Sequence, residues 1–262
     1  MNLKSKIFLL ILASGVFFTS CKKVKEATKL NEEASSTVQF IHAAPVATAP
    51  TPPSYDIVVD GVVANGSRRL SYGIVSAGGG GGNAPGYMPI LEGTRNIKIS
   101  PDSGRTTVID ASLTFEKNKA YTILAYDTLA TPSSKLRVVR LNDNLAVPAT
   151  GNTQVRFVHA APNAPAVDIT FLRSAPLDSV TILNKTYLGA TPNVDAVSAF
   201  TPVPGTPVSG STYTIKIKLA GTQTVVTSAS LGTALTAGRI ITYYAIGTAQ
   251  GRALALISTR HF

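Results

Sequence analysis

The sequence predicts an all-β protein of two tandem β-sandwich domains, immunoglobulin-like or transthyretin-like, behind a signal peptide. Three observations predict it. An octapeptide is written twice, as Val38-Gln-Phe-Ile-His-Ala-Ala-Pro45 and Val155-Arg-Phe-Val-His-Ala-Ala-Pro162, 117 positions apart (155 minus 38). Short bursts of Val, Ile, Thr and Tyr alternate with turn residues, among 21 Gly and 16 Pro in 262 residues. An apolar stretch near the start ends at the chain's one cysteine.

The repeat extends beyond the octapeptide. Asp56-Ile-Val answers Asp168-Ile-Thr, and Ser71-Tyr72-Gly73 answers Thr186-Tyr187-Leu188-Gly189. Tyr87-Met-Pro-Ile answers Phe200-Thr-Pro-Val. Ile97-Lys98-Ile99 answers Ile215-Lys216-Ile217 at an offset of 118 (216 minus 98), and Ala111-Ser112-Leu113 answers Ala229-Ser230-Leu231 at the same offset. Colinear matches at a nearly constant offset mean two copies of a unit of roughly 110 residues, an ordinary domain size. The expected boundaries are 1–20 signal peptide, 21–37 lipidated Cys and tether, 38–150 first sandwich and 151–262 second sandwich.

Each copy reads as seven or eight short strands. In the first they fall near 38–42, 55–60, 68–72, 87–91, 94–99, 106–115, 120–127 and 135–141. In the second they fall near 154–159, 166–172, 179–184, 198–203, 212–219, 223–231, 239–247 and 252–258. Ile97 and Ile99 share one face and Lys98 takes the other, the period-2 signature of a strand. Asp60-Gly61, Asn65-Gly66 and Ala220-Gly221 mark turns. No segment carries a convincing amphipathic helix. In the octapeptide, Val38, Phe40 and His42 alternate, as do Val155, Phe157 and His159. Each set points to one face, and the following Pro stops the strand because it lacks an N–H. The octapeptide is therefore expected to be an inward-facing edge strand and the corner that ends it.

The start of the chain has a positive region at Lys4 and Lys6, an apolar run Ile7–Phe18 and the small residues Thr19-Ser20 before Cys21. Twelve apolar residues fall short of the ~20 needed to span a bilayer core, so the pattern is an export signal. The position of Cys21 resembles the lipobox of bacterial lipoproteins, with Phe18 where Leu is usual, and the Ser-Cys-Lys-Lys junction resembles lipoproteins of the Bacteroidetes group. That resemblance implies lipidation of Cys21 and anchoring to the outer membrane, on its periplasmic face or at the cell surface. More than one acyl chain makes such an anchor stable. With Cys21 so used, no disulfide is available to the folded part.

Formal net charge is +10. The signal contributes two charges, the tether at 22–37 one (four Lys, three Glu), residues 38–150 two (ten basic, eight acidic) and residues 151–262 five (eight basic, three acidic). No basic run interleaves with aromatics, so no nucleic-acid partner is expected. The second half could draw anionic polysaccharide or lipid headgroups.

Val155-Arg-Phe-Val-His-Ala-Ala-Pro-Asn-Ala-Pro-Ala-Val-Asp168, its counterpart at 38–56, the Tyr-Gly step and the late Ala-Tyr-Thr-Ile-Leu-Ala strand resemble the bacterial family called domain of unknown function 4397. The resemblance covers nearly everything after the tether, in two copies. A Pro-rich insertion, Val46–Ser54, sets the first copy apart. The family implies no activity.

Candidate chemistry is thin. His42 and His159 each belong to their own copy and are expected to hydrogen-bond the corner backbone; Asp56 and Asp168 are the nearest candidate carboxylates. The glycine run Ala77–Gly86 lacks the Gly-Lys-Ser/Thr ending and the following helix of a phosphate loop. With Tyr72 and Tyr87 beside it, that loop, including Gly80, is a possible binding surface, as are the two histidines. Gly-x-Ser-x-Gly is absent, paired glycosidase carboxylates are absent from the second copy, and Asn142-Asp143-Asn144 is too little for a calcium loop. No catalytic residue, metal or cofactor is expected. The expected role is non-catalytic binding or adhesion at the cell envelope, toward a glycan or another envelope protein. The alternatives are an envelope spacer without a ligand and, third, a carbohydrate-processing enzyme.

Overall fold

The computed structural model describes residues 36–45, 54–65, 69–73, 86–101, 105–127, 136–174, 176–205, 212–232, 235–247 and 253–261. Cys21, the signal, Gly80 and nearly all of the glycine run and Pro-rich insertion lie outside them.

Among the described residues, eight strands form the first half: β1 (Ser36–His42), β2 (Asp56–Val59), β3 (Val62–Val63), β4 (Met88–Ile90), β5 (Gly93–Ser100), β6 (Ile109–Phe115), β7 (Ala120–Tyr126) and β8 (Arg137–Asp143). Eight more form the second: β9 (Asn152–His159), β10 (Val167–Ser174), β11 (Leu177–Lys185), β12 (Thr201–Pro204), β13 (Tyr213–Leu219), β14 (Val225–Gly232), β15 (Ile240–Ile246) and β16 (Ala255–Arg260). The first half makes the sheets β4-β1-β7-β8 and β3-β2-β5-β6; the second makes β12-β9-β15-β16 and β11-β10-β13-β14. Adding eight to every strand number converts one pair of sheets into the other. Registers follow suit: β1 pairs with β7 in parallel and with β4 antiparallel, and β9 does the same with β15 and β12. Each half is a sandwich, and the protein is all-β as the alternation foretold.

Each sandwich has its own core. In the first, Val38 and Phe40 of β1 and Tyr121 and Ile123 of β7 face Ile57 of β2 and Ile97 of β5. In the second, Val155, Phe157 and Tyr243 face Ile169, Phe171 and Ile215. A further cluster joins the halves: Ile41, Leu124, Tyr126 and Leu141 from one meet Val158, Tyr244 and Ile246 from the other. The two sheets that carry the octapeptides therefore pack face to face.

This corrects the expected edge strand. β1 and β9 are central, flanked on both sides, and buried on both faces. Their even-numbered (β1) and odd-numbered (β9) positions fill the sandwich; the intervening residues fill the seam. β7 and β15 share this setting, and all seven residues of β15 are buried. Such strands read as continuous apolar runs, which describes Ile240–Ile246.

Four details also differ from expectation. β1 starts at Ser36, two residues inside the expected tether. The segment 68–72 supplies only isolated bridges, Leu70 to Tyr55 and Tyr72 to His42, among its described residues. β3 is a two-residue strand where β11 has nine, and it closes on Asp60-Gly61, whose φ values of 48° and 84° suit the twist of a two-residue hairpin turn. Finally, a five-residue helix, α1 (Val194–Ser198), precedes β12. Asn193 caps it by accepting from the Ala196 amide at 3.1 Å.

Candidate functional site

The repeated histidines hold the corners. The His42 Nδ1 accepts from the Ala44 amide at 3.3 Å, and the His159 Nδ1 accepts from the Ala161 amide at 3.3 Å. In His159 the proton then sits on Nε2, which donates to the Pro165 carbonyl at 3.1 Å. Tyrosine rings stand edge-on to both, Tyr72 at 5.8 Å from His42 and Tyr187 at 6.2 Å from His159. Gly73 N–H donates to the His42 carbonyl and Leu188 N–H to that of His159, which is why a Tyr-containing step recurs in both copies. Burial pushes the His159 pKa down, despite the bond to Pro165. The carboxylates lie in other bonds: Asp168 accepts from the Asn184 and Gly221 amides at 2.7 and 2.9 Å, and Asp56 lies 3.3 Å from Arg69 Nε.

A buried polar network lies at the seam, of which the sequence had singled out only Tyr87 and the triplet Asn142-Asp143-Asn144. Arg156 is the one non-conservative difference between the octapeptides, standing where the first copy has Gln39. Its side chain is fully buried, and Nη2 lies 2.7 Å from Asp143 Oδ1 of the opposite half. Its Nε donates to Thr242 Oγ1 at 3.0 Å and Nη1 to the Asn142 carbonyl at 3.2 Å, while the guanidinium lies over the Phe200 ring at 4.6 Å. Burial, the largest single influence, disfavours the guanidinium charge, but Asp143, Tyr244 and Tyr87 together outweigh it, and the net shift is upward.

Tyr87, expected to open a strand beside the glycine loop and named as a possible binding residue, sits one residue before β4 and belongs to this network. Its hydroxyl donates to Asp143 Oδ2 at 2.6 Å and sits 2.6 Å from His261 Nδ1. Burial and the adjoining Asp143 carboxylate both push its pKa up. Thr122 donates to Asp143 Oδ2 at 2.7 Å and accepts from Gln39 Nε2 at 2.8 Å; Thr259 donates to Gln39 Oε1 at 3.3 Å. Thr242 Oγ1 lies 2.8 Å from His261 Nε2. One proton arrangement satisfies the chain: Thr242 O–H to Nε2, Nδ1–H to the Tyr87 oxygen, and Tyr87 O–H to Asp143. It requires a neutral imidazole. Burial, and secondarily the Arg156 charge, hold the His261 pKa down at about 4 against the pull of Asp143.

Beside this network the seam opens into a cleft of about 1090 Å³. Its walls come from the ends of β1, β7 and β8, the β6–β7 turn and α1, with Asp143 at its floor. Glu116, Asn118, Lys119, Asn142 and Asp195 are exposed around it, and their side chains make no hydrogen bond or ion pair to other described residues. The triplet Asn142-Asp143-Asn144 thus lines a cleft; no cluster of metal-ligating side chains occurs among the described residues. The structure brings Tyr87 to the edge of this region, and leaves His42, His159 and Tyr72 at the corners. The available signal for the site was the Gln39/Arg156 difference inside an otherwise conserved repeat.

Fold and seam together define a doubled β-sandwich protein with a polar inter-half cleft. The chain belongs to the family described as Domain of unknown function (DUF4397), whose match covers residues 36–170, that is, the first half with β9 and part of β10. No curated protein matches it. Among solved structures, the crystal structure of a "putative adhesin" from Bacteroides ovatus is similar at 13% identity and a TM-score of 0.24, over 86% of this chain and 96% of that one. A superposition that loose supports no structural or functional argument.

Proposed function

We propose that this is a lipid-anchored outer-membrane protein, held through Cys21, that binds a polyhydroxylated ligand, a glycan of the cell envelope, without chemical turnover. The observation that carries the reading is the seam cleft. Ligand sites favour the junction between packed units, and this one presents amide and carboxylate side chains with uncommitted donors and acceptors, the groups that bond paired hydroxyls. The buried network behind it fixes both walls, so little ordering free energy opposes binding. The non-catalytic reading is supported by His42 and His159, whose Nδ1 atoms accept from corner amides away from the cleft, and by Asp143, whose oxygens are engaged by Arg156, Tyr87 and Thr122. We read the two halves as separate domains at 38–150 and 151–262, a reading supported by the strand pairing that recurs between them.

The test is a glycan array and an envelope pull-down with the full chain. A saturable glycan partner lost in Asn118→Ala/Asn142→Ala supports the reading; no partner at all returns the protein to a ligand-free spacer. Turnover of a carbohydrate, abolished by His159→Ala in a folded protein, would restore the enzyme alternative. Incorporation of labelled palmitate, lost in Cys21→Ala, checks the anchor, and protease shaving of whole cells distinguishes the periplasmic face from the cell surface.

A further inference from the structure

The two halves finish the outer ends of their cores differently. Val59 of β2 is the counterpart of Phe171 of β10, since each pairs with the isoleucine, Ile97 or Ile215, of the 118-residue offset. By the same registers Arg95 answers Tyr213, and Ile90 answers Val203. Hydrogen bonding agrees: the Tyr213 hydroxyl donates to the Pro204 carbonyl, and Arg95 Nε donates to the carbonyl of Leu91, the corresponding residue, at 3.3 Å. In the second half the rings of Phe171 and Tyr213 are 0% and 2% exposed and close the core against Val155 and Val203. The first half puts a valine and an arginine there, and its hairpin turns at Asp60-Gly61, whereas β10 continues to Ser174.

What remains is a pocket of about 390 Å³ walled by Val38, Val59, Val62, Met88, Ile90 and Leu91. Val38 forms a fully buried floor, and Val62, 69% exposed, stands at the mouth. The Arg95 guanidinium lies in the wall, 3.3 Å from Asp60 Oδ2.

We propose that this pocket binds a single aromatic ring of the phenyl or phenol class. The other half supplies the reason: the equivalent space is filled by two such rings, and the walls that enclose them recur here. Of the two charged groups in the lining, Arg95 and its ion-pair partner Asp60, the cation is the one a ring matches. A guanidinium beside an apolar cavity is attracted to the π face of an arene and gains nothing comparable from an aliphatic group of equal size. Apolar walls with one or two fixed polar groups are the usual make-up of a small-ligand site. The inference does not rest on the seam cleft, with which this pocket shares only Pro89 of its lining.

Methyl-resolved NMR of the full chain, titrated with phenol and separately with cyclohexanol, tests it. Phenol produces saturable shifts at the Val59, Val62, Met88 and Leu91 methyls and none at Val155 or Val203, and cyclohexanol binds at least about tenfold more weakly. Val59→Phe installs the second half's own filling and lowers phenol affinity by at least about tenfold, with the remaining methyl spectrum unchanged. If that variant does not fold, Val62→Glu, at an exposed position, places a charge at the mouth and weakens binding in an intact fold. Absence of saturable shifts, equal affinity for cyclohexanol, or unchanged phenol binding in a folded variant overturns the proposal.

Discussion

At equivalent positions along the seam the first half carries Gln39, Thr122, Leu141 and Asp143, and the second carries Arg156, Thr242, Thr259 and His261. The backbone frame is the same; three of the four side chains are not, the shared one being Thr122/Thr242. Across the seam the relation is reciprocal: Gln39 Nε2 approaches His261 Nδ1 at 3.3 Å, and Arg156 Nη2 approaches Asp143 Oδ1 at 2.7 Å. If the second half paired with a copy of itself, each buried Arg156 would face His261 and no carboxylate. Uncompensated buried charge is strongly unfavourable, so the divergence specifies that first half meets second half. Discrimination of this kind rests on the penalty against the wrong pair as much as on the right contacts.

Arg156→Met is the largest expected disruption of that asymmetry. It leaves Asp143 buried without its cation and should lower unfolding stability by about 3–5 kcal/mol, measured by urea denaturation. Arg156→Met/Asp143→Leu should recover much of the loss, because a well-packed apolar replacement removes the orphaned charge as well. Recovery would separate the specificity role of the pair from any net stabilising role.

The next effect is acid sensitivity. The His261 pKa is about 4 in the fold against 6.5 for the free side chain. The unfolded chain binds the proton first as pH falls, so this histidine's contribution is fully present above about 6.5 and is lost progressively toward 4. The depression corresponds to about 3 kcal/mol, and buried His159 acts with the same sign. Stability followed from pH 7 to 4 should decline along this window, and His261→Gln should flatten the decline. The first half has Asp143 at this position, so the acid response belongs to the second half's contribution.

The smallest effect sharpens the comparison at its least charged pair. Thr259→Val removes the donor to Gln39 Oε1 and brings the position closer to its counterpart Leu141. The cost should be about 1 kcal/mol by the same denaturation measurement, with no change in the pH profile.

Much of the frame was legible in the sequence, because it is local or repeated. The alternation at Ile97-Lys98-Ile99 gave β5, Asp60-Gly61 gave its turn, and colinear matches paired the halves. His42 and His159 were readable as corner residues because a histidine two positions before an alanine amide, before Pro, has a local partner. The seam was not legible. Gln39 and Ile41 look like the outward positions of a half-buried strand, and nothing local says that a second sheet covers them. Asp143 and Arg156 meet through packing between halves, and Tyr87 reaches them from just before β4, so the spacing in sequence carries no trace of the contact. The short helix Val194–Ser198 escaped for a related reason: five residues are too few to show a period, and only the Asn193 cap marks it.

The central claim is that the halves are copies locked across a buried seam into one cooperative unit. Differential scanning calorimetry of the full chain tests it most directly. A single transition, with calorimetric and van't Hoff enthalpies equal, is the predicted result. Two separable transitions in the unsubstituted protein, unaffected by Arg156→Met, would contradict it.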